Sequence, residues 1–220
     1  MNDINIQRES AVDSSPRLTM KRKPVYDFFK RVFDILVALI CLTVGLPVYL
    51  LIALVIVIDD PGNPLFVQKR TGRNGKEFYM VKFRSMRINA DKLKSELIRQ
   101  NEYESGVHFK IENDPRITKV GKFIRATSLD EIPQALNILT GSMTVVGPRP
   151  YIPSEQAQLP IDRLCVKPGL SCYWQITDTT KMSNEEQLEL DYKYIRERGV
   201  MTDFKIIFKT IRMMLKGKNC

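Results

Sequence analysis

The stretch ILVALICLTVGLPVYLLIALVIVI, residues 35–58, runs for 24 residues without a formal charge. As one helix it would measure about 36 Å at roughly 1.5 Å per residue, enough for a hydrocarbon core of about 30 Å. A core helix of that length with no polar stripe is out of place in a chain of 220 residues, so the run is read as membrane-inserted. Gly45 and Pro47 interrupt it. Proline has no N–H, and its ring crowds the carbonyl four residues back, that of Thr43. The Thr43 hydroxyl or nearby backbone would have to satisfy the loosened groups, because lipid cannot. One outcome is a kinked spanning helix. The other is a helix–break–helix that enters and leaves by the same leaflet, and the flanks favour it. Lys21, Arg22, Lys23, Lys30 and Arg31 precede the run, and Lys69, Arg70, Arg73, Lys76 and Lys82 follow it. Basic residues mark the cytoplasmic side, and here both flanks qualify.

Working outward, residues 1–20 are polar with no apolar period and read as a disordered tail. Residues 21–60 form the basic, aromatic lead-in and the broken apolar helix. Residues 61–199 have the pattern of a small globular domain, helix-rich α/β of the α+β kind. Within it L-F-V-Q-K-R and E-F-Y-M-V-K-F-R predict strands around the turn T-G-R-N-G-K. Residues 89–102 predict a charged helix, and another runs from near Ser128 to about Leu139. Ser183 to Arg198 is a third, with Ser183 and Glu186 as a capping box and Gly199 as its stop. Residues 200–220 predict a basic amphipathic helix. Phe204, Ile207, Phe208, Ile211 and Leu215 share one face, and Lys205, Lys209, Arg212, Lys216 and Lys218 lie elsewhere. Such a helix lies on a membrane surface or packs on the core, and the pattern fits both.

The formal net charge is +9. It implies an anionic partner: nucleic acid, acidic lipid or a phosphorylated substrate. Cys41, Cys165, Cys172 and Cys220 show no C-x-x-C spacing, and His108 is the only histidine, which argues against a zinc site. The thiols read as reduced and structural. No secretory signal is read at the start, where the first 20 residues are polar.

Asp130-Glu131, in T-S-L-D-E-I-P-Q, is the pair best placed for chemistry. Ser128 is expected to cap a helix whose first turn holds both carboxylates, and the positive helix end favours their ionised form. An ionised aspartate there could attack phosphorus as a nucleophile, and the adjacent carboxylate could hold magnesium on a diphosphate. Taken alone the pair is equally a capping box, Ser128-x-x-Glu131. Its surroundings carry the argument: Arg125 lies five residues upstream, and V-V-G-P-R-P presents Arg149 between Pro148 and Pro150. Lys82 and Arg84 come from K-F-R-S-M, and Arg116 from N-D-P-R-I-T. Guanidinium forks grip phosphate oxygens, and phosphoryl transfer depends on positioning and charge neutralisation. Trp174 could stack on a base or anchor at an interface, with core packing as the plainer role. No Walker A loop, G-x-G-x-x-G or nucleophile elbow is present.

In order, K-R-V-F-D, the apolar run with Pro47, N-P-L-F-V-Q-K-R-T-G, K-F-R-S-M, N-D-P-R-I-T-K-V-G, I-R-A-T-S-L-D-E-I-P-Q, V-V-G-P-R-P and K-P-G-L-S resemble the bacterial sugar transferases, the monotopic phosphoglycosyl transferases. The resemblance covers residues 24 to 215. It implies a re-entrant helix broken near Pro47 and a catalytic domain on the cytoplasmic face of the bacterial inner membrane. It also implies transfer of a phosphosugar from a UDP-sugar to polyprenyl (undecaprenyl) phosphate, with release of UMP. In that resemblance Asp130 is the nucleophile, Glu131 the Mg2+ carboxylate, and Arg125 and Arg149 (with Pro148 beside it) contact phosphate and nucleotide. Lys82 falls in a matching active-site motif, with Arg84 and Arg116 as further substrate contacts. The implied partners are the lipid bilayer, the two substrates and a second copy of the chain, with no nucleic acid. Two departures stand out: Ser142 occupies a position that is acidic in many members, and Ile176–Thr179 replaces a V-S-G-R-like segment. A non-catalytic membrane-anchored scaffold or anion-binding protein is the competing expectation.

Overall fold

The computed structural model describes residues 22–90, 114–177 and 182–215. The tail at 1–20, nearly all of the helix expected over 89–102, His108, Asp178 and Thr179 of the second departure, and Lys216 to Cys220 lie outside the described residues.

The apolar run forms two helices, α1 (Pro24–Val44) and α2 (Leu46–Asp59). They meet at Gly45 with a bend of 61°. The bend follows from chemistry at the break: Pro47 stands in the first turn of α2, where its missing N–H is harmless. Tyr49 reaches back from α2, and its hydroxyl donates to the Cys41 carbonyl at 2.8 Å. The Thr43 hydroxyl donates to the Leu39 carbonyl at 2.8 Å, within its own helix, so the tyrosine rather than the threonine bridges the break. No single helix among the described residues is long and apolar enough to cross a membrane, although the bent pair together has that length and composition.

β1 (Leu65–Thr71) and β2 (Glu77–Phe83) pair antiparallel, with Leu65 opposite Phe83 and Thr71 opposite Glu77. Their turn uses Asn74 at φ 57° and Gly75 at φ 75°, as the T-G-R-N-G-K pattern predicts. Asn137 then acts as a second partner for β2. Its amide accepts from Val81 N–H at 3.0 Å and donates to the Tyr79 carbonyl at 2.7 Å.

The helix expected from Ser128 to Leu139 is in fact two pieces, a 3-10 segment (Leu129–Gln134) followed by α4 (Ala135–Thr140). α3 (Lys119–Ala126) precedes them. Pro133 is the physical reason: it cannot donate an α-helical bond, and its ring crowds the preceding turn. Ser128 sits at φ 55° and makes no side-chain cap, so the Ser128–Glu131 capping box does not form.

β3 (Thr144–Val146) and β4 (Gly169–Ser171) form a second, parallel pair that was not anticipated. Two glycines meet there. A Cβ on Gly169 would lie 2.0 Å from the Gly147 nitrogen, and one on Gly147 would lie 2.5 Å from the Lys167 carbonyl. V-V-G-P-R-P and K-P-G-L-S are thus two sides of one close backbone crossing. α5 (Pro153–Gln156), α6 (Asn184–Glu197) and α7 (Val200–Leu215) complete a helix-rich α+β fold. α6 carries the expected capping box, with Ser183 N–H on Glu186 at 2.8 Å and Glu186 N–H on Ser183 Oγ at 3.2 Å.

The lead-in is fastened to the globular part. Asp34, 2 % exposed, accepts from the Thr144 hydroxyl at 2.7 Å and from Val145 N–H at 2.9 Å. Arg31 donates to the Ile138 and Leu139 carbonyls at the C-terminal end of α4, at 2.6 and 2.7 Å. Lys30 and Tyr26 bond to Asp203 of α7 at 2.6 and 2.8 Å. Several cations that read as membrane-flanking charges therefore have protein partners. α7 packs one face on the core, as one of its two expected roles requires. Ile206 is fully buried and Ile207 packs on the core, while Phe204, Phe208 and Ile211 are exposed.

Candidate active site

The carboxylate pair is assembled by the 3-10 segment lying across β2. Lys82 projects from β2, and its ammonium donates to Glu131 Oε1 at 2.7 Å. The two side chains are only 18 % and 22 % exposed. Asp130 beside them is 8 % exposed. Arg149, on the turn after β3, lines the same recess as Lys82, Glu131, Gln134, Pro150 and Arg70.

Arg149 is held from behind. Its carbonyl accepts from Arg163 Nη2 at 2.7 Å, and its guanidinium stacks 4.8 Å from the Trp174 ring centroid. Arg163 is itself buried on Asp191, with Nη2 and Nε at 2.6 and 2.9 Å from Oδ2. Trp174 thus packs, and what it packs against is the Arg149 guanidinium. Pro148 is buried, its carbonyl accepting from Gly169 N–H at 2.9 Å, which pins the turn.

The two carboxylates differ sharply in their electrostatics. Burial, with the Glu131 charge beside it, lifts the Asp130 carboxyl above its ordinary range against the pull of Lys82 and Arg125. Burial opposes ionisation of Glu131 as well, but Lys82 and Arg149 outweigh it and hold that carboxyl below its ordinary range. The expected dominance of a helix end over Asp130 is therefore not what the fold provides; desolvation wins. Adjacent carboxylates pushed apart in this way are chemically distinct: Glu131 is the more readily ionised and Asp130 the more basic.

The other arginines fall into two groups. Arg125, exposed on α3, acts on Asp130 through its field and also on Asp114. Arg84 and Arg116 are already matched with carboxylates. Arg84 pairs with Asp60 at 3.0 Å, and Arg116 forks onto Asp114 with Nη2 and Nε at 2.6 and 2.9 Å. Burial works against the Asp114 charge, yet Arg116 and Arg125 hold its carboxyl below the ordinary range. The Arg84–Asp60 pair ties K-F-R-S-M to the end of α2, while Arg116–Asp114 braces N-D-P-R-I-T internally. Ser142, at the first departure, donates to the Asn137 carbonyl at 3.1 Å and so steadies the residue that grips β2.

Magnesium fits the donor set. Among the described residues no three His, Cys, Asp or Glu side chains gather into a closed cage. Mg2+ is ordinarily held by one or two carboxylates with waters and substrate phosphates, and Glu131, which lines the recess, with the buried Asp130 next to it has that chemical character.

Arg70 and Gln134 belong to the recess and were not singled out from the sequence. Arg70 appeared there only as a flanking charge. The signal that could have found it is its place on β1, two residues from Gln68 in Q-K-R-T-G, paired with the strand that carries Lys82.

An acidic pair on the 3-10 segment thus lies beside a lysine and two arginines, in a fold that also carries a bent apolar helix pair. The sequence pattern described as "Bacterial sugar transferase" matches residues 25–217, and the chain belongs to that family. It is 40 % identical over 195 residues to the UDP-galactose-lipid carrier transferase of Erwinia amylovora, covering 86 % of this chain and 41 % of that protein. It is 37 % identical over 198 residues to the undecaprenyl-phosphate galactose phosphotransferase of Salmonella typhimurium, covering 86 % and 41 %. Over 202 residues it is 37 % identical to the exopolysaccharide production protein ExoY of Rhizobium meliloti, covering 89 % of each. The chain spans about two fifths of the first two relatives and most of the third.

Proposed function

We propose that this chain transfers a sugar phosphate from a UDP-sugar to a polyprenyl phosphate at the cytoplasmic face of a bacterial inner membrane, as an initiating step of exopolysaccharide, capsule or glycoconjugate assembly. The observation that carries this reading is the Asp130–Glu131 pair, with Lys82, Arg149 and Arg125 acting on it. An Asp130 oxygen attacks the sugar-bearing phosphorus. The bond from that phosphorus to the bridging oxygen breaks, and UMP leaves with the electron pair. The resulting acyl phosphate is opened by an oxygen of the polyprenyl phosphate, which restores the Asp130 carboxylate and releases a polyprenyl diphosphate sugar. Arg149 and Arg125 offset the charge that develops on the phosphoryl oxygens, and Lys82 keeps Glu131 ionised and oriented. Bound at Glu131 with Asp130 beside it, Mg2+ would neutralise the diphosphate and orient it for in-line attack.

The bilayer enters through the exposed apolar surface of α1 and α2. Phe28, Leu36, Ile40, Leu50, Leu54 and Ile58 are all more than half exposed, a larger contiguous apolar face than a water-soluble surface carries. A re-entrant pair bent at Gly45 would keep the site at the interface, where a polyprenyl acceptor presents its phosphate.

The test uses purified protein in detergent with Mg2+, a panel of UDP-sugars and undecaprenyl phosphate. UMP release and labelled lipid are expected, and Asp130→Asn removes both while its circular dichroism stays native. Full activity in that variant would take the nucleophile role away from Asp130. Failure of every UDP-sugar to release UMP would favour the non-catalytic scaffold.

A further inference from the structure

Every fully buried arginine of the described fold has a carboxylate in contact. Arg84 has Asp60, Arg116 has Asp114, Arg163 has Asp191, and Arg198 has Asp27, at 3.0, 2.6, 2.6 and 2.5 Å. This is the expected rule, since a guanidinium taken out of water needs a compensating charge. Arg70 breaks it. Its side chain is 14 % exposed, and its bonds go to neutral oxygens, the Pro150 carbonyl at 3.1 Å and the Gln68 amide at 2.6 Å. The nearest carboxylate, Glu155, stands 3.9 Å away and already accepts from Ile152 N–H. The Arg70 Nε is buried with no partner. Burial and the like charge of Arg149 push its pKa down to about 10. Lys82 cannot be counted as relief, because it is cationic and its own charge is spent on Glu131.

Arg149 and Arg70, the latter with a carboxylate no nearer than 3.9 Å, thus share one recess, an arrangement suited to an anion bearing more than one charge. Building on the UDP-sugar reading above, we infer that Arg70 is a second guanidinium arm for the donor's diphosphate, working with Arg149. Arg163 backs Arg149 and the Pro150 carbonyl backs Arg70, so both arms are positioned before the ligand arrives. Donor binding then offsets the excess positive charge of the two guanidiniums and stiffens the link between β1 and the Pro148–Pro150 turn.

UDP, which binds without turnover, is the probe, with the full chain in detergent, read by calorimetry and thermal melting. Arg70→Gln should weaken UDP by about 10- to 100-fold, the loss typical of charge-assisted hydrogen bonds. Arg70→Lys, which keeps the charge but not the fork, should fall between that variant and wild type. Ligand-free Arg70→Gln should melt no lower than wild type, a result that a purely structural arginine would not give. If Arg70→Gln is unstable, Arg70→Lys decides by its UDP affinity alone. A variant that binds UDP as tightly as wild type overturns the assignment and leaves Asp130 untouched. A wild-type protein that ignores UDP removes the donor reading itself, and Arg70's role with it.

Discussion

At the scale of single residues, the opposite displacement of two neighbouring carboxyls has consequences that can be measured. Asp130 holds its proton more tightly in the fold than in the unfolded chain, so its ionisation works against folding. That penalty is absent below the ordinary carboxyl range near pH 4, grows as pH rises through the raised pKa, and is complete above it. Asp130→Asn should therefore melt higher than wild type at neutral pH and no higher in acid, while turnover falls by roughly 10³-fold or more. In the wild type, kcat should climb with pH through the Asp130 ionisation, as a nucleophile that must be ionised requires. Glu131 has the opposite sign: its contribution is present above the ordinary range and lost as pH falls through its depressed pKa. Lys82→Met should cost about 1–3 kcal/mol at neutral pH by leaving that carboxylate without its partner, with the gap closing in acid. Urea titration at both pH values checks it. These two carboxyls, with Lys82, Arg125 and Arg149, were legible from residue type and motif order. Burial was not legible, which is why Arg70 looked like a flanking charge while Arg84 and Arg116, matched to acidic neighbours, looked like free cations.

Elements explain why the motifs recur as intact strings. Gly121 opens α3, and a Cβ there would lie 1.9 Å from the Ser85 carbonyl, so N-D-P-R-I-T-K-V-G and K-F-R-S-M are two faces of one contact. Gly121→Ala should destabilise the fold by about 1–3 kcal/mol or more by overpacking. It should also lower turnover, because β2 carries Lys82 and α3 carries Arg125. Thermal melting beside the UMP assay separates the two effects. Asp34→Ala should cost about 2–4 kcal/mol, since the Thr144 hydroxyl and Val145 N–H lose their acceptor. The hairpin and α6 were readable because their turn and cap chemistry is local. The 3-10 segment was misread as α-helix because serine and glutamate spacing suggested a cap, while Pro133 and the left-handed Ser128 decided otherwise. β3 and β4 went unseen because three-residue strands have no period and owe their pairing to glycines some twenty positions apart.

For the molecule as a whole, the proposed insertion of the bent pair into a bilayer has a direct test. In a background with the native cysteines replaced by serine, single cysteines at Arg22 and Asn63 should label from the same side of sealed vesicles if the pair re-enters its own leaflet. Labelling from opposite sides would make it a spanning helix. The apolar run and the break at Gly45–Pro47 were plain in the sequence. The hold that α1 takes on the domain was not, because Asp34, Lys30 and Arg31 acquire their meaning only from partners far along the chain. That hold also sets a schedule for biogenesis. Asp34 and Thr144 are 110 residues apart. At about 5–20 residues per second a ribosome needs roughly 5–20 s to supply the second after the first. For that interval the newly made helix pair carries a carboxylate whose donor strand has yet to leave the ribosome.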